Sequence, residues 1–243
     1  VNNPLAALQT VAANKRAQFN YPLIGITGSN GKTIVKEWLY QLLDATYNII
    51  RSPKSYNSQV GVPLSVWRMK SEHNLAIIEA GISQIGEMRT LKDMIQPTVG
   101  ILTNIGDAHS LGFISQQQKL EEKIQLFSTA DTIIASADDP LIFETLDKQH
   151  RDKLLLWGKN NNAHIIITDT AKFEKGTQLD LTFKNQKYSF LLPFKTHDLL
   201  ENGMQVIAYL LLIGWQEKEI QKEISGFSSV NNRLEIKDGL YNS

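Results

Sequence analysis

The sequence predicts an α/β fold: a mostly parallel β-sheet flanked by helices, with a small antiparallel β extension towards the carboxyl end. Three observations predict it. Continuous apolar runs alternate with amphipathic helical patterns as far as Ala137. A glycine-rich turn within "GITGSNGKT" (Gly25 to Thr33) joins one such run to one such helix. From Lys153 onwards, apolar runs follow one another with only polar turns between them.

The first element is an amphipathic helix over about Pro4 to Gln18. "YPLIGIT" (Tyr21 to Thr27) has buried-strand character, and "KTIVKEWLYQLLDA" (Lys32 to Ala45) puts Val35, Trp38, Leu39 and Leu42 on one helical face. The polar, turn-forming stretch "SPKSYNSQVGVP" (Ser52 to Pro63) precedes another helix and has the composition of a substrate-contacting or simply exposed loop. "HNLAIIEAG" then reads as a strand, "IGEMRTLKDMI" as a helix, "TVGILTNIG" as a strand, "SQQQKLEEKIQLF" as a helix and "DTIIASA" as a strand. Such alternation is the pattern of a parallel sheet covered on both faces, with binding at the carboxyl ends of its strands. "KLLLWG", "AHIIITDTAKF", "TQLDLTF" and "KYSFLLPF" make the antiparallel extension. Helix returns in "HDLLENGMQVIAYLLLIG" and "WQEKEIQKEISGF", and the polar strip "SSVNNRLEIKDGLYNS" reads as a linker.

At 243 residues the chain holds one large domain or two small ones. Lys plus Arg and Asp plus Glu are 25 each, so net charge gives no reason to expect nucleic acid or an acidic surface, and a compact substrate is the expected partner. The lack of cysteine removes disulfides and thiolate metal sites and suits a reducing compartment, so the cytoplasm is expected. No apolar stretch approaches a membrane span, and "VNNPLAALQT" lacks the form of a signal peptide. Val1 in place of methionine reads as the start of a piece excised from a longer protein.

The glycine turn approximates the phosphate-binding pattern G-x-x-x-x-G-K-[ST], in which backbone N–H groups surround phosphate oxygens, the lysine reaches the outer phosphates and the hydroxyl ligates magnesium. Ile26 stands where the first glycine belongs, so Gly28 has to serve the turn. The following helix start aims unpaired N–H groups and a positive dipole end into the loop. Strand, glycine loop, lysine and helix in this order predict a P-loop NTPase-like sheet; the bland alternative is a glycine turn with an incidental lysine.

Other strand ends carry usable chemistry. Glu79 ends "LAIIE", where a carboxylate could hold a magnesium ion that also touches Thr33, or could merely cap a helix. "GILTNIGDAH" ends with Asn104, Asp107 and His109, and a lone histidine is more often a satisfied residue than a ligand. Lys119 and Lys123 lie on one helix face with Glu121 and Glu122 turned elsewhere, which by residue type alone reads as a solvated charged surface. Asn202 lies near a helix start and Arg233 in the terminal strip; chemistry alone selects neither.

Taken together, these stretches resemble the Mur ligases, ATP-dependent enzymes that form amide bonds. "GITGSNGKT" is similar to that family's phosphate loop, T-G-x-N-G-K-[ST], where no glycine is required at position 26. Within the family, "SYNSQVGVPLSV", "IIEAGISQIGEM" and "LTNIGDAH" resemble the branch that adds D-alanyl-D-alanine to a UDP-N-acetylmuramoyl tripeptide (the MurF type) in peptidoglycan precursor synthesis. The resemblance covers nearly the whole chain. It implies that Gly28, Ser29, Asn30, Gly31, Lys32 and Thr33 bind ATP, with Lys32 at the β and γ phosphates. It implies Thr33 and Glu79 at one Mg2+ and His109 at a second. "KIQLF" matches the family's lysine that carbon dioxide converts to a metal-binding carbamate, which selects Lys123 over Lys119. Asn202 is implied at the adenine, Arg233 near the nucleotide at a hinge, and Asn57 and Ser83 at the muramoyl peptide. Ser58 stands where the asparagine-rich segment often has a second asparagine.

The implied chemistry is attack of the tripeptide carboxylate on the γ phosphate to give an acyl phosphate, then displacement of phosphate by the amine of D-Ala-D-Ala. The implied organisation is a helix remnant of a linker over 1–19 from a UDP-binding domain, a central ATP-binding domain over 20–229 and a linker over 230–243 to a third domain. Such a piece is expected to bind ATP and to be inactive as a ligase or to hydrolyse ATP weakly. The resemblance implies a monomer and admits fusion to an alanine racemase in the full-length chain. Three alternatives stay open: another Mur-type ligase such as folylpolyglutamate synthase, a P-loop kinase or GTPase, and a non-catalytic nucleotide-binding module.

Overall fold

The computed structural model describes residues 2–106 and 112–227. Helix α1 (Pro4–Arg16) starts with Pro4 behind the cap residue Asn3, whose side chain accepts from Ala6 N. Arg16 near its end is buried, donating from Nε to Ile95 O at 2.9 Å and from Nη2 to Gln96 O at 3.2 Å. Its guanidinium thereby ties α1 to the carboxyl end of α4 (Glu87–Ile95), where a cation suits the exposed carbonyls.

Strand β1 (Leu23–Thr27) is buried at all five positions, and so is β3 (Leu75–Glu79). Both lie inside a nine-stranded sheet of order β2-β3-β1-β4-β5-β6-β7-β8-β9, with β2 at Ile49–Arg51, β4 at Val99–Leu102, β5 at Thr132–Ser136 and β6 at Leu154–Gly158. The remaining strands are β7 (Ile165–Phe173), β8 (Gly176–Phe183) and β9 (Gln186–Leu192). The first six strands are parallel, which explains their apolar character without alternation. One face carries α1, α3 (Gly61–Trp67), α4, α5 (Gln116–Ile124) and α6 (Pro140–His150). The other carries α2 (Lys32–Leu43), α7 (His197–Leu212) and α8 (Glu217–Ile224).

The antiparallel extension is continuous with the parallel sheet. "KLLLWG" is corrected accordingly: β6 pairs in parallel with β5, and β7 begins in parallel with β6 (Trp157↔Ile165, Gly158↔Ile166). Only β7–β8 and β8–β9 are antiparallel, with a register shift between Ile167 and Asp169. The β8–β9 turn places Lys184 and Asn185 at φ +48° and +63°, the left-handed pair that matches the strand twist of a tight hairpin. This ribbon packs Leu179, Leu181, Phe190 and Leu192 into the same core as α7, so α7 is covered on two sides and buried continuously from Asn202 to Leu211.

Among the described residues, β2 and α6 are strand and helix beyond those expected from the sequence. Strand β2 has three residues, too few for a periodic signal. Helix α6 had a legible start: Asp139 accepts from Leu141 N and Ile142 N, and Pro140 occupies the first turn.

Trp38 closes the core on the α2 side, fully buried and stacked on Phe194 and Phe227 at centroid distances of 5.0 and 4.4 Å. Trp38→Ala removes a large ring from a site framed by two other rings, at a cost of about 3–5 kcal/mol. The expected result is a melting temperature lower by about 10 °C; a shift under about 2 °C in a thermal melt would refute this packing role.

Candidate active site

The carboxyl ends of β1, β3 and β4 lie level with one another (Ile26↔Glu79, Thr27↔Leu102), and the loop 28–31 emerges there. Gly28 has φ +143°, and a Cβ on it would lie 1.9 Å from Thr103 Oγ1, so the turn requires glycine. Gly31, at φ +80°, caps α2 without a side chain, and a Cβ there would lie 2.1 Å from Asn202 Oδ1. The first-turn N–H groups of α2 therefore face the loop, the arrangement that receives anions.

Residues after β4 clamp this loop. Ser29 N donates to Asn104 O and Asn30 N to Asn104 Oδ1, both at 3.0 Å, and Gly106 N donates to Ser29 Oγ at 2.8 Å. Lys32 folds back, its Nζ donating to Gly28 O at 2.8 Å and Ser29 O at 3.0 Å. Lys123, from α5, donates to the same Gly28 O at 3.1 Å.

The solvated-face reading of α5 is overturned. Lys119, Glu122 and Lys123 are all buried. Glu122 Oε1 accepts from Met88 N at 3.0 Å and so caps α4. Burial above all, then the neighbouring charges of Lys32 and Lys119, pushes the Lys123 ammonium down to about 7. Helical periodicity counts these lysines as polar and outward; the cleft at the sheet edge turns their face inward.

Beside the loop, Thr33 Oγ1 donates to Glu79 Oε2 at 3.1 Å, and Asn57 Nδ2 donates to the same oxygen at 3.4 Å. A hydroxyl and a carboxylate side by side are hard oxygen donors of the kind Mg2+ takes, so these residues fit that ion. Among the described residues, no group of three or more His, Cys, Asp and Glu side chains is placed to hold a metal. Among the described residues, the Glu79 carboxylate accepts from no helix N–H; its other oxygen pairs with Lys36 Nζ at 2.9 Å, both side chains fully buried. Lys36 was not singled out in the sequence, where its only signal is its place within one turn of Lys32 and Thr33.

A cleft of about 650 Å³ opens beside Asn57, lined also by Gly28, Ser29, Asn30, Lys32, Lys119, Lys123 and Ser83. The Ser83 hydroxyl and N–H donate to Glu87 Oε2 at 3.1 and 2.6 Å, which orders that wall. Asn202 is buried against Gly31. The structure thus brings Gly28, Ser29, Asn30, Lys32, Asn57, Ser83 and Lys123 to one cleft, with Thr33 and Glu79 hydrogen-bonded behind Asn57 and Asn202 against Gly31 at the back of the loop. Asp107, His109 and Arg233 lie outside the described residues.

The family model of the Mur ligase middle domain matches residues 26–210. The chain belongs to the Mur ligase family. The match takes in the loop, Glu79, Lys123 and Asn202. Two relatives named UDP-N-acetylmuramoyl-tripeptide--D-alanyl-D-alanine ligase align with 97% of this chain: that of Bacillus subtilis (strain 168), 27% identical, and that of Borreliella burgdorferi, 31% identical. This Mur ligase chain spans about half of each relative, 51% in both cases. In fold it is similar to MurF from Acinetobacter baumannii (TM-score 0.84, 22% identity, 95% of this chain and 51% of that one). It is likewise similar to MurF ligase from Thermotoga maritima in complex with ADP (TM-score 0.80, 24% identity, 95% and 54%). Among the described residues no helix is long and apolar enough to cross a membrane.

Proposed function

We propose that this chain supplies the ATP-binding centre of a cytoplasmic ligase that adds D-alanyl-D-alanine to UDP-N-acetylmuramoyl tripeptide through an acyl phosphate. The observation that supports it best is the convergence of Lys32 and Lys123 on the Gly28 carbonyl, beside the Thr33–Glu79 pair. In this reading residues 20–229 form the central domain, and 1–19 and 230–243 connect it to the other parts of the full-length protein.

The tripeptide carboxylate and the triphosphate repel each other. Lys32 and the N–H groups at the start of α2 neutralise charge where the phosphoryl group moves, and Asn57 and Ser83 orient the carboxylate for in-line attack. Thr33 and Glu79 would hold one Mg2+ and His109 with the Lys123 carbamate a second, and ions held there would supply further neutralisation of the phosphate charge. Asn202 and Arg233 contact the nucleotide. The amine of D-Ala-D-Ala then attacks the acyl carbon, phosphate leaves and the amine proton passes to solvent.

Lys123 is suited to the carbamate reading because only a neutral amine attacks carbon dioxide. An ordinary lysine is half-neutral only near pH 10.5, whereas burial and the neighbouring charges bring Lys123 to about 7. At fixed dissolved carbon dioxide, the species heavier by about 44 daltons, as carbamate composition requires, should rise between about pH 6 and 8 in native mass spectra and be missing from Lys123→Ala. A mass unchanged across this range would refute the carbamate.

The test of the function is phosphate release by the full-length protein. A ligase requires ATP, the tripeptide nucleotide and D-Ala-D-Ala together; a kinase or GTPase releases or transfers phosphate without the amine, and a folylpolyglutamate synthase requires a folate and glutamate.

A further inference from the structure

Lys36 and Glu79 are both fully buried, 2.9 Å apart through Glu79 Oε1. Lys36 Nζ also lies 3.0 Å from Glu37 Oε1, and it donates to Ser52 O at 2.8 Å and to Lys54 O. Glu37 is held from its other side by Arg51, whose Nε and Nη2 are each 3.1 Å from Oε2 and whose guanidinium lies 3.3 Å over the Tyr40 ring. The ammonium is therefore fixed by partners on α2, the 52–54 backbone and β3. Taking a lysine and a glutamate out of water is costly, and an apolar pair of the same volume is often as stable or more so. Packing alone does not account for the pair.

The two oxygens of Glu79 have different company. Oε1 faces the ammonium; Oε2 faces the Thr33 hydroxyl and the Asn57 amide. We infer that Lys36 is a positioning residue that occupies Glu79 Oε1, leaving Oε2 alone to ligate the metal and tying the Asn57-bearing loop to the same carboxylate. The inference rests on the metal assignment proposed above. One-oxygen ligation has a consequence for ion choice. Mg2+ demands compact octahedral geometry, whereas Ca2+ takes more ligands and readily accepts both oxygens of a carboxylate. By denying the second oxygen, Lys36 biases the site against Ca2+.

The test is ADP affinity in the full-length protein, measured by calorimetry with Mg2+ and separately with Ca2+, for wild type and Lys36→Met. Both ions are divalent, so the change in local charge largely cancels in the ratio of the two dissociation constants. Lys36→Met is expected to move that ratio towards Ca2+ by at least about tenfold, because Oε1 becomes free for two-oxygen ligation. An unchanged ratio in a folded variant overturns the role of Lys36. A wild type whose ADP affinity ignores both ions overturns the metal assignment beneath it. Should Lys36→Met fail to fold, the crystal structure of the wild type with Mn2+ and ADP decides: ligation through Oε2 with Oε1 still on Lys36 supports the inference, and ligation through Oε1 or both oxygens refutes it.

Discussion

Replacing Lys32 with alanine in the full-length protein is expected to lower turnover by about a hundredfold or more, the scale seen when one charge-stabilising donor is removed from a reacting centre. Lys32 already lies over the loop, 2.8 and 3.0 Å from the Gly28 and Ser29 carbonyls. On the function proposed above, its ammonium turns from these carbonyls to the outer phosphates of ATP. Because the loop is clamped by Asn104 rather than by Lys32 alone, the variant should fold and melt close to the wild type. Steady-state phosphate release with all three substrates checks the prediction, and near-normal turnover would sink the role given to Lys32.

The second large effect has opposite signs for stability and activity. In carbon dioxide-free, metal-free buffer, Lys123→Met should stabilise the protein at pH 6 to 7 by roughly 2–5 kcal/mol. The folded state holds this lysine at about 7, against its ordinary value of 10.5. Below about 7 the proton is bound in both states, and the buried ammonium imposes its full penalty on the folded one. Between about 7 and 10.5 the unfolded state alone keeps the proton, so wild-type stability rises with pH. Above that range the two states are equally deprotonated and the advantage of Lys123→Met disappears. Denaturant titrations at pH 6, 8 and 10, values set by this window, should therefore show a converging pair of curves. Parallel curves would show that the lysine is solvated in the folded protein. If the function proposed above holds, the same substitution in the full-length protein supplied with bicarbonate is expected to abolish the ligase reaction, since methionine can form no carbamate.

Much of the site was legible because it is local. Gly28 and Gly31 lie within a few residues of β1 and α2, and the apolar spacing of Val35, Trp38, Leu39 and Leu42 announces the helix that follows the loop. Gly28's φ and the uncapped start of α2 are short-range consequences of those residues. Lys123 illustrates the opposite case. By residue type and spacing it belongs on a wet surface; only the similarity of "KIQLF" to the family pattern drew it into the site.

By itself, the sequence determined the class of fold, the phosphate-loop turn and most of the strands and helices, because apolar periodicity, glycine conformational freedom and capping act over a few residues. The tertiary structure decided what those elements do to one another. Strand order β2-β3-β1-β4 brings Glu79 to Thr33 across 46 residues of chain and puts Asn104 under the loop. The placement of α6 between β5 and β6 lets β6 run parallel, and the ribbon β8–β9 closes over α7. The buried lysines 36, 119 and 123 were decided there too. Charge in a sequence states only what a side chain carries; whether water surrounds it depends on which distant elements pack around it, and no short window of sequence contains them.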